Sequence, residues 1–441
     1  MRRHFLPLGL AVLLLNPSFA QAFDAVDHGT IETGGVAALR STEPVAPLTL
    51  GAAWEQAEQA NPALRSARAS LAQMQGALTD ARAPLWNNPQ LTTEWYRRTV
   101  PQAAAPAQAY REWAVGLAQT FEIAGQQTKR RVAAEQSLAA AQAFIAETRR
   151  QLRAEVESRF VRVLSLQRRI RMEQQTLKLI ENAAAAVGKR VKAGEDSRLD
   201  GNLAKVEAER THNQAAMLRE QLVQARAELA STLQLPAGTL PEVAGTLERG
   251  GRYTLGELMA AAQDRSLLRA LDHQERAARS RLDLERASVY PDITIGLGSA
   301  REGPANLQEK ITGLSLSLPL PLFRRNATGI GRATTELTQT EIEKQAANRD
   351  VRAQVMTLWQ RLESLDSRVR LLTESVLPRL EENQRLSVTA FRAGEIGLLQ
   401  LLLVNRQVLD GRRDLLDART ELRLTRVSLE AAAGWQLPNL R

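Results

Sequence analysis

Residues able to do covalent or metal chemistry are few in this 441-residue chain, and they stand far apart. Cysteine is absent, which removes disulfides, thiolate metal sites and sulfur nucleophiles. The histidines, His4, His28, His212 and His273, are isolated, and no two have ligand spacing. There is no nucleophile elbow, no phosphate loop and no His–carboxylate cluster, so neither an enzyme, a cofactor nor a bound metal is expected. The acids scattered along the chain read as exposed charges on helix faces. What remains is electrostatic. Ser197-Arg198-Leu199-Asp200 reads as a capping box, with Ser as N-cap and the acid at N3. Gly397-Leu398-Leu399-Gln400 repeats that form. Lys129-Arg130-Arg131 and Arg324-Arg325 are either solvated helix starts or contacts to lipid phosphates, and cations at a helix start oppose its dipole. His212 and His273 read as surface residues.

The elements that must hold these residues are long helices. Hydrophobic residues make up 44% of the chain and aromatics only 4%, and Ala, Leu, Arg, Gln and Glu fill tracts free of Gly and Pro. The net charge of +9 would suit a nucleic-acid partner. The charges, however, alternate in sign instead of forming a basic block, and the N-terminus carries an export signal. Arg2 and Arg3 precede an apolar run from Phe5 to Leu15, then small residues and Ala20-Gln21-Ala22, so residues 1–22 are a signal peptide. That run is too short to span a bilayer, and no later stretch approaches the roughly 20 apolar residues of a transmembrane helix, so any membrane crossing must use strands. No nucleic-acid partner is expected.

The mature chain is a duplication. Arg190-Val191-Lys192-Ala193-Gly194-Glu195 answers Ala390-Phe391-Arg392-Ala393-Gly394-Glu395; Asn88-Pro89-Gln90-Leu91-Thr92 answers Tyr290-Pro291-Asp292-Ile293-Thr294. Residues 23–47 read as an extended lead-in, 48–235 as the first unit, 236–252 as a Pro/Gly linker, 253–437 as the second unit and 438–441 as a tail. Each unit reads helix, two strands, long helix, tight turn, returning helix. Leu64, Ala67, Leu71, Met74, Leu78 and Ala81 put one apolar seam on the first helix. Val156, Val163, Ile170, Leu177, Ala184 and Val191 recur at sevens, as do Leu401, Val408, Leu415, Leu422 and Leu429. Gly194 and Gly394 read as left-handed helix C-caps. Pro378, inside the second long helix, predicts a kink or a break.

The strands, about 90–99 and 112–123, then 292–303 and 310–320, have a different period. Trp113, Val115 and Leu117 alternate with Ala114 and Gly116, Ile293, Ile295 and Leu297 with Thr294 and Gly296, and Leu314, Leu316, Leu318 and Leu320 with Ser315, Ser317 and Pro319. Alternation alone fits a soluble hairpin as well as a membrane barrel; the export signal and the flanking rods favour the barrel. Trp95, Tyr96 and Trp113 gather at these segments, as interface aromatics do. Four strands cannot close a barrel, and an open edge in lipid costs several kcal/mol per unpaired group. Two copies would supply about eight strands and three about twelve. With about four helices per chain in cross-section, each roughly 10 Å wide, the lumen would be near 15 or 28 Å. The trimer makes the better conduit.

These motifs resemble the TolC-like outer-membrane efflux family, and within it the CzcC-type branch serving heavy-metal efflux. The residues that carry the resemblance are Asn87-Asn88-Pro89-Gln90-Leu91-Thr92, Phe121-Glu122-Ile123-Ala124-Gly125 leading to Lys129-Arg130-Arg131, Tyr290-Pro291-Asp292-Ile293-Thr294, and Ser317-Leu318-Pro319-Leu320-Pro321-Leu322-Phe323-Arg324-Arg325-Asn326. The resemblance implies a mainly α fold with a transmembrane β-barrel: a homotrimer with a twelve-stranded barrel in the outer membrane, joined to a coiled-coil α-barrel through the periplasm. It implies a periplasmic adaptor and an inner-membrane transporter of the resistance-nodulation-division class. By position it makes Gly194, Glu195, Leu199, Gly394, Glu395 and Leu398 adaptor-docking candidates. Asp200 matches the family's gate aspartate, with Gln400 in the second repeat, although both fit capping equally well. Trp95, Tyr96, Trp113, Arg324 and Arg325 would meet outer-membrane lipid. Family members often carry Gly-Gly-Lys where this chain has Gly125-Gln126-Gln127, a departure expected to matter little beyond a helix start. The resemblance implies a passive exit duct for heavy-metal cations. The alternatives are a duct for drugs or organic toxicants, or a periplasmic coiled-coil adaptor, which would lack a full duplication with strands between its helices.

Overall fold

The structure, a computed structural model, describes residues 47–103, 105–194, 197–248, 251, 253–304 and 306–435. The signal segment 1–22, the lead-in up to residue 46, Glu195, three positions of the linker and the tail 438–441 lie outside the described residues.

The first helix of each unit is in fact two. Helix α1 (Leu50–Ala60) is capped by Thr49, whose hydroxyl accepts from the Ala52 N–H at 3.3 Å. Asn61-Pro62 then restarts the chain as α2 (Pro62–Ala81). Proline is tolerated in the first turn, where no N–H is needed, and Asn61 Oδ1 accepts from the Ala63 and Leu64 N–H groups. The predicted seam on α2 is buried or half-buried throughout. In the second unit α5 (Leu255–Gln263) starts with a Thr254/Glu257 capping box, and α6 (Ser266–Ala287) follows after a break at Asp264-Arg265.

Strands β1 (Gln90–Gln102), β2 (Ala105–Phe121), β3 (Ile293–Glu302) and β4 (Glu309–Ser317) form one antiparallel sheet in the order β1-β2-β3-β4. The two hairpins pair through β2 and β3, from Phe121↔Ile293 to Trp113↔Arg301. The first hairpin is longer than alternation predicts, β2 beginning at Ala105 instead of near 112. Residues 105–111, Ala-Pro-Ala-Gln-Ala-Tyr-Arg, carry no apolar period to announce a strand, and Pro101 falls where the β1–β2 register shifts, between Val100 and Gln102. At the other end β4 stops at Ser317, three residues early. Pro319 and Pro321 have no N–H to give a ladder.

After the sheet the chain returns to rods. Helix α3 (Gln126–Ala193) runs 68 residues, about 100 Å at 1.5 Å each, and α4 (Arg198–Thr232) comes back along it. In the second unit α7 (Ala327–Leu371) passes through a π-helical turn (Leu372–Val376) into α8 (Leu377–Arg392), and α9 (Leu398–Ala433) returns. The π turn sits just before Pro378. A proline ring collides with the carbonyl four residues back, here that of Glu374, and the wider turn takes up that collision. Each unit has its own core. Ala53, Leu64, Val156, Phe160 and Leu229 centre the first, joined by Val243 and Leu247 of the linker; Leu258, Val355, Leu362 and Leu429 centre the second. The linker folds back to pair with the start of the first unit, the Leu48 N–H donating to the Glu242 carbonyl at 2.7 Å.

Candidate functional site

The sheet separates its side chains by chemistry. On one face the register sets Leu91, Leu117, Leu297 and Leu314 side by side across all four strands. Val115, Ile295 and Leu316 extend this face, and all of these are exposed. The opposite face at the same level carries Thr92, Gly116, Gly298 and Gly313, and one step along Gln90, Ala118, Gly296 and Ser315. An exposed apolar face backed by a small, polar one is the pattern of a sheet with lipid outside and water inside. Trp95 and Trp113 are cross-strand partners on the apolar face. Tyr96 is one residue on, so it lies on the polar face, where its hydroxyl donates to Glu94.

At the base of the sheet the chain after β4 presents Leu318, Leu320, Leu322 and Phe323 to the surface, Phe323 being 96% exposed, followed by exposed Arg324 and Arg325. On the first unit Arg130 is already engaged: Glu122 accepts from it through both oxygens, at 2.6 and 2.9 Å, and its guanidinium lies 3.8 Å from the Trp86 ring centre. Lys129 and Arg131 flank it. Gln126 and Gln127 do more than start a helix. Gln126 is buried and accepts from the Ala124 N–H at 2.7 Å; the Gln127 amide donates to the carbonyls of Ala81 and Ala83. Together they fasten the exit of β2 and the start of α3 to the end of α2, so the departure at Gly125-Gln126-Gln127 reaches beyond a helix start.

At the far end of the rods both turns close on glycine. Gly194 and Gly394 have φ of 78° and 77°, conformations that only glycine adopts without strain, and the Glu395 N–H reaches back to the Ala390 carbonyl at 2.9 Å. Leu199 is exposed beside them, and Leu398 begins α9. The Ser197 hydroxyl accepts from the Asp200 N–H at 3.1 Å and donates to Asp200 Oδ2 at 2.6 Å. Asp200 thus answers the cap's hydroxyl, where a full capping box would use the Ser197 N–H. Gln400 follows Gly397, which has no side chain to cap with.

Between the two units lies a seam that spacing did not announce. Glu147, Glu157 and Glu173 on α3 are 3%, 5% and 0% exposed, so these acids are not the solvated charges expected of them. Arg265, at the start of α6, donates to Glu147 at 2.7 Å and to the Ala432 carbonyl at 3.1 Å. Arg423 and Arg413 of α9 hold Glu157 and Glu173, the latter through both oxygens at 2.6 and 2.8 Å. Burial pushes the Glu147 carboxyl up, but hydrogen bonds from Arg150 and Arg265 outweigh it and hold the group below the usual value. His273 is half-buried against Gln136 at 2.8 Å instead of lying free on the surface. Among the described residues no group of three His, Cys, Asp or Glu could hold a metal ion, and no helix is long and apolar enough to cross a membrane.

The sequence profile of the outer membrane efflux protein family matches residues 53–233 and 258–435, most of the chain in two stretches. This chain belongs to that family. The cobalt-zinc-cadmium resistance protein CzcC of Cupriavidus metallidurans is 30% identical to this efflux protein over 422 residues, covering 95% of it and 94% of CzcC. Two solved structures share the fold: CusC, at 18% identity and a TM-score of 0.72, covering 87% of this chain and 91% of that one, and the outer membrane protein VceC of Vibrio cholerae, also at 18% and 0.72, covering 87% and 96%. This efflux protein therefore sits in the outer membrane and extends into the periplasm.

Proposed function

We propose that three copies of this efflux protein close a twelve-stranded barrel and a continuous helical tunnel, forming the passive outer-membrane duct of a tripartite pump for heavy-metal cations. The observation that carries it is the open sheet. β1 and β4 end a four-stranded sheet whose apolar face needs lipid, and an unpaired edge there would cost several kcal/mol per backbone group. Pairing β4 of one copy with β1 of the next removes every edge. The metal cargo rests on the likeness to CzcC. It gains support from the polar face of the sheet, where Glu94, Glu112, Glu302 and Glu309 would ring the distal mouth and favour cations. Cargo choice belongs to an inner-membrane transporter of the resistance-nodulation-division class and a periplasmic adaptor. The adaptor would dock on the turns holding Gly194, Glu195, Leu199, Gly394, Glu395 and Leu398.

In a trimer, three copies of Asp200 would surround one axis as a gate, with Gln400 beside them; the Ser197 hydrogen bonds hold each carboxylate in place for it. Trp95, Trp113, Arg324 and Arg325 would lie at the two membrane interfaces, while Tyr96 would face the lumen. Deleting the gene and growing the cells on zinc, cobalt and cadmium salts and on organic toxicants tests the cargo. Metal sensitivity restored by the intact gene is expected; sensitivity to organic compounds alone would refute it. Purified material that is a single water-soluble subunit without β structure would refute the shared barrel.

A further inference from the structure

Beyond Trp95 and Trp113, at the distal end of the sheet, the apolar face turns basic. Trp95, Trp113, Arg301 and Lys310 occupy one register row, and Arg97 and Arg111 oppose each other two residues further out on the same face. All four cations are exposed. Arg301 lies over the Trp113 ring, 5.8 Å from its centre. Among the described residues none of the four has a carboxylate within ion-pair distance. The carboxylates of this level, Glu94, Glu112, Glu302 and Glu309, are all on the other face, where Arg98 pairs with Glu112 at 3.3 Å. Like charges set directly opposite on neighbouring strands repel. Two arginines held in that position, with acids close by but turned away, repel less when an anion from outside the chain lies between them.

Their height says which anions. Phe121 to Arg111 spans ten residues of β2, about 33 Å along the strand and about 25 Å along the axis at a tilt near 40°. That is the thickness of the apolar band of a barrel, so Arg97 and Arg111 emerge at headgroup level on the side away from the helices, where the outer leaflet lies, and Arg301 and Lys310 stand two residues lower along their strands, at its edge. They also come in two pairs, Arg97/Arg111 over β1 and β2 and Arg301/Lys310 over β3 and β4. The pair centres are two strand spacings apart, about 10 Å, and offset by two residues, about 7 Å, along the strands, which puts them about 12 Å from each other, close to the length of a disaccharide.

We propose that this outward face of the barrel is a binding site for the phosphorylated glycolipid of the outer leaflet, one phosphate held by Arg97 and Arg111 and a second, at the other end of the disaccharide, by Arg301 and Lys310. Trp95 and Trp113 sit beneath Arg97 and Arg111 and level with Arg301 and Lys310, against the acyl–sugar boundary. The site rests on the proposed barrel, because only closure turns this face to lipid.

The test uses the full chain purified in detergent, titrated with bis-phosphorylated lipid A, monophosphorylated lipid A and phosphatidylglycerol, and read by native mass spectrometry. The bis-phosphorylated lipid should bind most tightly. R97Q/R111Q/R301Q/K310Q should weaken it at least tenfold, at about fivefold per lost surface cation as the upper scale, whereas R352Q/R361Q, exposed on α7 away from the sheet, should not. R97Q/R111Q alone, less disruptive to folding, should bring binding of the bis-phosphorylated lipid down to that of the monophosphorylated one. Equal binding by the quadruple variant and the parent would overturn the site, as would phosphatidylglycerol binding as tightly as the glycolipid. A parent chain that forms no membrane-embedded oligomer would bring down the barrel itself, a result distinguishable from loss of the site alone.

Discussion

Replacing Glu147 by Gln tests whether the two units are joined by buried charge. Glu147 Oε1 receives Arg265 at 2.7 Å, Arg265 is itself 8% exposed, and Arg150 bonds both carboxylate oxygens. Gln keeps the shape and one acceptor but removes the charge, leaving a guanidinium uncompensated in the interface. Breaking a buried pair this way costs about 3–5 kcal/mol; the retained acceptor puts Glu147→Gln near the lower end. A surface pair supplies the control: Glu155 meets Arg159 one helical turn away with its side chain 48% exposed, and Glu155→Gln should cost under about 0.5 kcal/mol.

The pH dependence gives the prediction a sign. The Glu147 carboxyl titrates lower in the folded chain than in the unfolded one. Its contribution is therefore complete above the ordinary carboxylate value, about 4.3, and fades as pH falls below that through the folded value. Denaturant titrations of the full chain in detergent at pH 7 and pH 3 should show a deficit of about 3 kcal/mol for Glu147→Gln at the higher pH. At the lower pH the deficit should shrink, because the unfolded parent has by then taken up the proton that the folded carboxylate resists. A deficit at pH 7 no larger than that of Glu155→Gln, or one that persists unchanged at pH 3, would refute the buried seam.

Pro378→Ala restores an N–H and removes the ring, so the π turn at Leu372–Val376 should relax toward regular α-helix; slower amide hydrogen exchange through residues 372–380 would report it, and unchanged exchange would detach the π turn from the proline. Asp200→Asn separates two roles at the helix start. If capping is its whole role, stability should fall by under about 1 kcal/mol with conductance unchanged; an altered single-channel conductance at unchanged fold supports the gate, and its absence removes it.

Much of the architecture was legible without coordinates. Heptads from Val156 to Val191 and from Leu401 to Leu429 announced rods, and Leu297 with its Gly neighbours announced a two-faced strand, because burial on one face repeats at a fixed interval along a single segment. The family motifs around Pro89 and Pro319 added what such intervals cannot supply. Features that depend on which segment lies alongside another were not legible. Glu173 meets Arg413 across 240 positions and Glu157 meets Arg423 across 266; each looks like an ordinary helix-surface charge until α9 is laid antiparallel to α3. The same limit hid the roles of Gln126 and Gln127, whose partners lie on α2 and in the strand exit. It also hid the grouping of Arg97, Arg111, Arg301 and Lys310, contributed by four strands and brought onto one face only by the register between them. The order of residues determined the period of each element and so which of its faces is apolar; the packing of one element on another decided where the charges meet, because an ion pair depends on distance in space and not on separation along the chain.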